Sequence, residues 1–409
     1  MWMVVISLGL QVAAIGIFHQ YRFRPGEDHF AFGWEMGRVG RSIALGRGFS
    51  NPYGDSTGPS AWEPPLYPFL IGGVFKVFGI YSTASAWVLL TINSSLTALT
   101  SIPIFFIARK TMGEKVAMWS AWTWALFPYF MYWSIHWVFD TTLGPLLLCL
   151  IFLVSLEMEE WKGWKGWKGW AIYGMLWGFG GLSNPSMLAF LPFSGLWIWY
   201  RRHRRGLPSI AGVVLASVVF FACLTPWLAR NYRVFGKFVF IRDDFGLQFR
   251  LGNGPSADGR LMAYLQPNLN ILEFEKFRRL GELAYAEECK RQAFAWIREN
   301  PGRFAVVSLK RFVYYWAGVP KESNGTLPVD FRDSLFLASS VLAIWGLARA
   351  LRKKKPGAML FLLLVLSYPT TYYFIFPHAR YRHPIEPELL ILAVYLISEA
   401  QSANAVQPS

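Results

Sequence analysis

Two groups of charged residues, far apart in the chain, combine types and spacings that could do chemistry. Glu35, Arg38 and Ser42 follow one another at intervals of three and four residues, which places them on one face of a helix. A carboxylate can act as a general base once partial burial raises its pKa towards neutrality. Near the other end of the chain, Arg380 and Arg382 carry guanidinium groups, which bind phosphate through paired hydrogen bonds. If the fold brings the two groups together, they predict one site for proton transfer beside a bound anion.

The first group belongs to a predicted amphipathic helix over residues 31–45. Its apolar stripe consists of Phe32, Met36, Val39 and Ile43. We expect this helix to lie at a membrane interface with its polar face towards water. Two ordinary explanations stay open from the residues alone. Glu35 and Arg38 also suit an exposed ion pair one helical turn apart, and the two late arginines also suit contacts with lipid headgroups.

The composition places these groups in a membrane protein. Of the 409 residues, 54% are hydrophobic and 18% aromatic, only 16% are charged, and the mean hydropathy is +0.30. Soluble chains average roughly 25% charged residues, and a disordered chain is excluded because it could not bury so much apolar surface. The net charge of +15 does not indicate a nucleic-acid partner, because the position of the charges matters more than their sum. The three cysteines have no metal-binding spacing, and we expect them to be packing residues.

Hydropathy predicts ten membrane-spanning helices. They cover residues 2–18, 82–108, 116–134, 138–156, 170–183, 185–200, 208–228, 334–350, 357–376 and 384–400. A shorter apolar run over 66–80 predicts a juxtamembrane or re-entrant helix, and residues 303–316 predict an interfacial helix rather than an eleventh span. The predicted fold class is therefore an all-α polytopic membrane protein with outer juxtamembrane helices and a mostly helical outer loop domain.

Four short loops between these spans are rich in lysine and arginine. Their basic residues are Arg109, Lys110 and Lys115, then Lys162, Lys165 and Lys168, then Arg201, Arg202, Arg204 and Arg205, and finally Arg352, Lys353, Lys354 and Lys355. With ten spans all four loops lie on one side, which the positive-inside rule makes cytoplasmic. Both termini are then cytoplasmic as well. One loop is the triplet repeat Trp161–Trp170, whose tryptophans and lysines suit a membrane edge.

The spans divide the chain into three expected parts. Residues 1–228 form an N-terminal transmembrane module, whose outer loop 19–81 carries Glu35. Residues 229–333 form an outer, periplasmic loop domain, and residues 334–409 form a C-terminal hairpin and last span that carry the arginine pair.

Several motifs of the outer side, taken in order, resemble those of the polytopic GT-C glycosyltransferases. Glu35 on an outer helix is followed by Gly46-Arg47-Gly48-Phe49 and by Pro64-Pro65-Leu66-Tyr67-Pro68. Asp140 follows at the turn between the third and fourth spans, and His378-Ala379-Arg380-Tyr381-Arg382-His383-Pro384 precedes the last span. The chain is most similar to the branch of dolichyl-phosphate-mannose-protein mannosyltransferases, which includes aminoarabinose transferases. Many members of that branch carry Asp where this chain has Glu35, and Lys where it has Glu63, so local donor contacts are expected to differ.

The resemblance implies an enzyme that moves a sugar from a polyprenyl-phosphate donor to an acceptor hydroxyl, with inversion, at the outer face of the cytoplasmic membrane. It implies Glu35 as the catalytic base and Asp140 as its catalytic partner. The substrate-binding positions implied are Arg38, Glu63, Tyr67, His378, Arg380, Tyr381, Arg382 and His383.

Several of these assignments have alternatives. Glu27 and Asp28 are other candidate bases, and Glu63 could contact the acceptor or a metal ion. Asp140 could instead cap the helix of the fourth span. Glu386 lies four residues after Arg382, so an ion pair between these two is also expected.

The expected partners are the donor lipid, the bilayer and an acceptor that is a protein, a lipid or a glycan, with no nucleic acid. No cofactor is required, and a divalent cation is left open. Two other functions remain: a transporter or flippase for a lipid-linked saccharide, and an O-antigen-ligase-type transferase that uses a diphosphate-linked glycan. Transporters usually bury charges in mid-span and contain inverted repeats, whereas here the charges gather at one membrane face.

Overall fold

The structure is a computed structural model that describes residues 1–23, 32–320 and 331–404. Within these ranges the chain is helical and contains no β-strand, only an isolated bridge between Ser50 and Pro59. The predicted all-α class is therefore confirmed. The alternative bases Glu27 and Asp28, and the first residue of the helix predicted over 31–45, lie outside the described residues.

The described helices follow one another along the whole chain. They are α1 Trp2–Ile17, α2 Glu35–Ala44, α3 Leu66–Phe78, α4 Thr83–Thr111, α5 Glu114–Leu126, α6 Pro128–His136, α7 Leu143–Met158, α8 Gly163–Ser183, α9 Leu191–Arg204, α10 Ile210–Phe235, α11 Phe245–Gly252, α12 Ile271–Leu280, α13 Glu282–Glu299, α14 Pro301–Ala317, α15 Phe331–Arg352, α16 Ala358–Ser367, α17 Thr370–Phe374, α18 Ala379–Arg382 and α19 Glu386–Asn404. Short 3-10 turns precede α7 at Asp140–Thr142 and α19 at His383–Ile385.

Each of the ten predicted spans corresponds to helical structure, and two of them are interrupted where a proline lies. The breaks are at Pro128 and Pro369, because proline lacks the N–H that continues the helical hydrogen-bond ladder. By length and composition, four described segments could cross a membrane alone: α4, Asp140–Met158, α10 and Ser334–Arg352. The chain is thus a multi-pass membrane protein.

The four basic loops lie together at one end of the helix bundle. Lys110 Nζ contacts Glu157 Oε1 at 3.1 Å, and Arg202 Nη1 donates a 2.7 Å hydrogen bond to the Met158 carbonyl. The fourth loop reaches the same place, because a Cβ on Gly357 would lie 2.8 Å from Leu156. This common end matches the arrangement that the ten-span topology requires. Its assignment to the cytoplasm stays a prediction.

The region after α10 covers the opposite end of the bundle. The expectation of a mostly helical domain here is confirmed by α12, α13 and α14, and the end of α10 is followed by irregular chain before α11. An aromatic cluster joins this region to the loop between α2 and α3: Trp62 packs edge-on against Phe277 at 5.5 Å between ring centroids. Segments from both halves of the sequence are thereby held against each other at this end.

Candidate active site

Helix α2, which begins at Glu35, packs closely against α3. Phe32, Met36 and Val39 of the predicted apolar stripe are buried. Glycines allow the two helices to touch, since a Cβ on Gly40 would lie 2.5 Å from Ile71. The polar face beside the stripe is only partly as predicted. Glu35 and Arg38 are half-buried, whereas Ser42 is fully buried.

The start of α2 lies against the segment that leads to Asp140. Gly33 has a φ of +84°, a conformation that favours glycine. A Cβ at this position would lie 2.4 Å from the Val138 carbonyl oxygen. The close approach of these two backbones therefore brings the first turn of α2 beside the turn that carries Asp140.

An amide from the outer region connects Glu35 to Arg38. Asn268 Nδ2 donates a 2.6 Å hydrogen bond to Glu35 Oε1, and Arg38 Nη1 donates to Asn268 Oδ1. Burial raises the pKa of Glu35 above its ordinary value, although the nearby charges of Arg38 and Arg380 oppose the shift. The carboxyl group of Glu35 is therefore held in a fixed orientation with an elevated affinity for protons.

The turn at Asp140 is fixed by a buried amide on α4. Asn93 Oδ1 accepts hydrogen bonds from the hydroxyls of Tyr67, at 2.7 Å, and Thr142, at 3.2 Å, while Asn93 Nδ2 donates to the Trp137 carbonyl. Asp140 is the first residue of a 3-10 turn whose N-terminus has no side-chain cap, so the alternative role as a helix cap is wrong. Its carboxyl group is half-buried beside two guanidinium groups, those of Arg380 and Arg242.

Arg380 lies on the short helix α18, near both Asp140 and Glu35. Its guanidinium group lies 4.6 Å from the ring centroid of Phe139, a cation–π contact next to the Asp140 turn. Its charge acts on the carboxyl groups of both Glu35 and Asp140. Residues separated by about 345 positions are thus brought into one site.

A second group of charges adjoins the first. Arg242 forms ion pairs with Asp244 and, at 3.7 Å, with Glu63. Burial, together with the charges of Glu35 and Asp244, raises the pKa of Glu63 to about 8, although Arg242 opposes the shift. We call the full set of interacting residues the charged cluster. It consists of Glu35, Arg38, Glu63, Asp140, Arg242, Asp244, Asn268 and Arg380.

The loop that carries Glu63 is pinned by charged groups from two other segments. Arg230 of α10 donates hydrogen bonds to the carbonyls of Ser60, at 2.5 Å, and Phe49, at 2.6 Å. Glu282 of α13 accepts a 2.6 Å hydrogen bond from the hydroxyl of Ser60. Phe49 is the last residue of the Gly-Arg-Gly-Phe motif. Through its carbonyl group it helps to hold the loop next to the charged cluster.

Arg382 does not join the charged cluster. Its side chain is fully buried, where it donates to the Phe336 carbonyl and the hydroxyls of Ser339 and Ser340. The expected ion pair with Glu386 is confirmed, with Nε and Oε1 2.8 Å apart. The predicted contact of Arg382 with a substrate phosphate does not fit this placement, because the side chain is fully buried and both terminal nitrogens already donate to internal acceptors.

Replacement of Arg382 by alanine is therefore expected to destabilise the protein rather than weaken donor binding selectively. It leaves Glu386 unpaired among buried groups, and breaking such a pair costs about 3–5 kcal/mol. Thermal unfolding in detergent measures this loss, and the double variant Arg382→Met/Glu386→Gln should recover part of it. A single variant with wild-type stability and weakened donor binding would contradict this account.

The remaining predicted binding residues divide between the surroundings of Arg380 and the protein interior. Tyr381 stacks on Tyr372 and lies under the Arg380 guanidinium, 5.3 Å from its ring centroid. His378 is exposed, and its ring accepts a hydrogen bond from the backbone N–H of Arg380. Tyr67 and His383 are only 1% exposed, so their predicted direct contact with substrate is not what the structure shows.

Three members of the charged cluster were not predicted from the sequence: Arg242, Asp244 and Asn268. The segment Ile241-Arg242-Asp243-Asp244-Phe245 places three charges between apolar residues just after a span, and this is a signal that could have indicated a site. Asn268 offers no such signal, since asparagine is common in turns. Gly252 and Asn253, at the end of α11, are buried, and Asn253 Oδ1 accepts a hydrogen bond from Arg311.

Among the residues that the structure describes, no group of three or more His, Cys, Asp or Glu side chains is arranged to hold a metal ion. Asp244 and Glu63 instead share the guanidinium of Arg242. The acids of this site are therefore positioned by arginines and by an amide.

Comparison with known proteins gives one family match and several structural matches. Residues 62–229 match the family model described as dolichyl-phosphate-mannose-protein mannosyltransferase. Among curated proteins, no sequence matches the chain significantly.

The structural matches extend over nearly the whole chain. The Archaeoglobus fulgidus oligosaccharyltransferase in complex with Zn and sulfate aligns at 16% identity and a TM-score of 0.55, over 98% of this chain and 49% of that one. AglB from the same organism, in complex with an inhibitory peptide and a dolichol-phosphate, aligns at 13% identity and a TM-score of 0.56, over 100% and 52% of the two chains. ArnT from Cupriavidus metallidurans bound to undecaprenyl phosphate aligns at 12% identity over 98% and 79% of the two chains, with a TM-score of only 0.38.

The chain spans about half the length of the oligosaccharyltransferases that it matches. At these identities the structural likeness establishes the fold. The resemblance predicted from the sequence motifs is confirmed by both kinds of match: the chain is a polytopic membrane protein with the GT-C glycosyltransferase fold, and its residues 62–229 match the mannosyltransferase family of that class.

Proposed function

We propose that the protein is a glycosyltransferase that moves a single sugar from a polyprenyl-phosphate donor to an acceptor hydroxyl at the membrane end opposite the basic loops. The observation that carries the proposal is the meeting of a half-buried carboxylate, Glu35, with a guanidinium, Arg380, in one charged cluster of a GT-C fold. A base and an anion-binding group are the two parts that such a displacement needs.

In the proposed reaction the acceptor hydroxyl attacks the anomeric carbon of the donor. Glu35 takes the hydroxyl proton while the new C1–O bond forms, and the bond between C1 and the phosphate oxygen breaks. The electron pair of that bond leaves with polyprenyl phosphate, and attack from the opposite face inverts C1. The pKa of Glu35, raised by burial, makes its carboxylate a better proton acceptor than an exposed one.

Arg380 is proposed to bind the phosphate that leaves. Guanidinium stays charged next to apolar surroundings and forms paired hydrogen bonds with phosphate oxygens. The contacts with Phe139 and Tyr381 restrict the position of this side chain and leave its charge in place. Stabilising the charge that develops on the leaving oxygen lowers the barrier for the displacement.

The other charged groups are proposed to bind the sugar or acceptor and to orient the base. The amide of Asn268 donates a hydrogen bond to Oε1 of Glu35 and not to Oε2. Asp140, whose carboxyl group is near Arg380, is proposed to accept a hydrogen bond from a sugar or acceptor hydroxyl. Arg242 keeps Glu63 and Asp244 together at the neighbouring part of the cluster.

Transfer is expected to decline as the pH falls through the raised pKa of Glu35, because only the ionised carboxylate accepts a proton. The midpoint of this acid limb in kcat/KM should lie above 4.5, the ordinary glutamate pKa. Glu63, with its pKa of about 8, ionises at higher pH and then adds negative charge beside Glu35. Glu63→Gln should therefore remove a second titration near that pH. An acid limb centred at or below 4.5 in the wild type would contradict this account.

The function is tested with purified protein reconstituted in liposomes that contain a polyprenyl-phosphate sugar, with envelope extract as acceptor source. We expect labelled sugar to leave the lipid, polyprenyl phosphate to accumulate, and label to appear in an acceptor fraction. Use of a diphosphate-linked glycan instead would favour the O-antigen-ligase type of reaction. Movement of intact donor across the bilayer without bond cleavage would favour a transporter, and either result would overturn the proposal.

A further inference from the structure

The triplet repeat Trp161–Trp170 is not used by the proposed chemistry, yet the structure gives it a defined shape. Helix α8 begins within the repeat at Gly163. Gly166 and Gly169 face inwards, since a Cβ on Gly169 would lie 2.7 Å from the Trp161 ring and one on Gly166 would lie 3.1 Å from the Trp161 carbonyl. With these two glycines on the packed side, Trp164, Lys165, Trp167 and Lys168 are directed outwards.

The outward side combines large aromatic rings with amines. Trp164 is 73% exposed and Trp167 is 46% exposed, which is unusual for tryptophan. Lys165 Nζ lies 4.9 Å from the centroid of the Trp161 ring, and Lys168 Nζ lies 5.5 Å from that of Trp164. We call this group the Trp–Lys surface. It consists of Lys162, Trp164, Lys165, Trp167 and Lys168.

The lysines of the Trp–Lys surface are not neutralised by the acidic residues just before them. Among the described contacts, these acids pair with cations of the neighbouring loops. Glu157 and Glu160 contact Lys110, at 3.1 and 3.5 Å, and Glu159 contacts Arg201 and, at 2.6 Å, Arg205. The three amines of the repeat therefore present net positive charge to whatever lies beyond the surface.

We propose that the Trp–Lys surface binds the headgroups of anionic phospholipids in the leaflet at the basic end of the bundle. Indole rings partition to the depth of the headgroups, where apolar and polar surroundings meet. Amines three residues apart on the first turns of a membrane helix lie level with the phosphates of that leaflet. An anionic lipid supplies both the apolar and the charged complement that the surface requires.

The position of the surface gives this binding a structural consequence. Helix α8 packs against α10 without a gap, since a Cβ on Gly174 would lie 2.2 Å from the Ala216 carbonyl and one on Gly178 would lie 2.5 Å from Cys223. A lipid contact at the start of α8 thus fixes the membrane depth of a rigid helix pair.

Native mass spectrometry of the full chain tests the proposal, with release from micelles that contain equal amounts of phosphatidylglycerol and phosphatidylcholine. We expect the wild type to retain phosphatidylglycerol selectively. Lys162→Gln/Lys165→Gln/Lys168→Gln should reduce that retention on the order of tenfold, and Trp164→Ala/Trp167→Ala should reduce it without a change of charge. The matched control, Lys353→Gln/Lys354→Gln/Lys355→Gln, removes equal charge from another basic loop and should leave most of the retention intact.

Two results would overturn the proposal: equal retention of both lipids by the wild type, or an equal loss in the control and in the repeat variant. If the lysine variant does not fold, Trp164→Ala/Trp167→Ala decides, because it must lower phosphatidylglycerol retention while the charge of the protein is unchanged. The measurement needs no sugar donor, so its outcome does not depend on the proposed transferase activity.

Discussion

Glu35→Gln is expected to lower the rate of sugar transfer by about 10²–10⁴-fold, the usual contribution of a positioned general base. The amide has nearly the shape of the carboxyl group and can still contact Asn268, which bonds Oε1 at 2.6 Å in the wild type. It cannot take the acceptor proton. Because α2 is held by its buried apolar face and not by this side chain, folding and donor binding should persist.

The rate of single-turnover transfer and the amount of bound donor are measured in the same sample. Together they separate an effect on catalysis from an effect on donor binding. Glu275→Gln is the matched control, since Glu275 is exposed on α12 and forms an ion pair with Arg278. The control should retain wild-type transfer. Wild-type turnover by Glu35→Gln would refute its assignment as the base, and loss of donor binding with loss of transfer would make it a binding residue.

Arg380→Ala is expected to raise the dissociation constant for the donor lipid by roughly 10- to 150-fold, which corresponds to the loss of about 1.5–3 kcal/mol from charged hydrogen bonds. The same variant removes a positive charge that lowers the pKa of Glu35, so the acid limb of transfer should move to higher pH. Arg380→Lys keeps a charge without the paired donors, and an intermediate loss is expected.

Binding of a fluorescent polyprenyl phosphate in nanodiscs measures this effect independently of turnover. Arg298→Ala removes an exposed guanidinium from α13 and should leave binding unchanged. If Arg380→Ala and Arg298→Ala bind the lipid equally well, Arg380 has no part in phosphate recognition. If the acid limb of the pH profile stays in place in Arg380→Ala, the charge of Arg380 does not influence the pKa of Glu35.

The topology was predictable because its physics is local. A run of apolar residues of sufficient length forms a membrane helix wherever it occurs, and prolines mark its breaks, as at Pro128 and Pro369. The buried apolar stripe of α2 could also be predicted, because its helical spacing is visible in the sequence itself.

The site was predictable only in part. Glu35, Asp140 and Arg380 were found through motifs, but which of two neighbouring arginines faces the charged cluster depends on packing. Arg382 turns inwards to Glu386, a pairing that the four-residue spacing itself indicated. Asn268 lies in a turn more than 200 residues from Glu35, and nothing in its local sequence indicates the contact, which exists only because the outer region folds over α2.

The meeting of Glu35 and Arg380 in one site is tested most directly by cross-linking. In a background where Cys149, Cys223 and Cys289 are replaced by alanine, Glu35→Cys is combined with Arg380→Cys or, as control, with Arg382→Cys. A short bifunctional thiol reagent should join positions 35 and 380, and it should leave positions 35 and 382 unjoined because the Arg382 side chain is buried. Cross-linking of 35 to 382 without 35 to 380 would contradict the account.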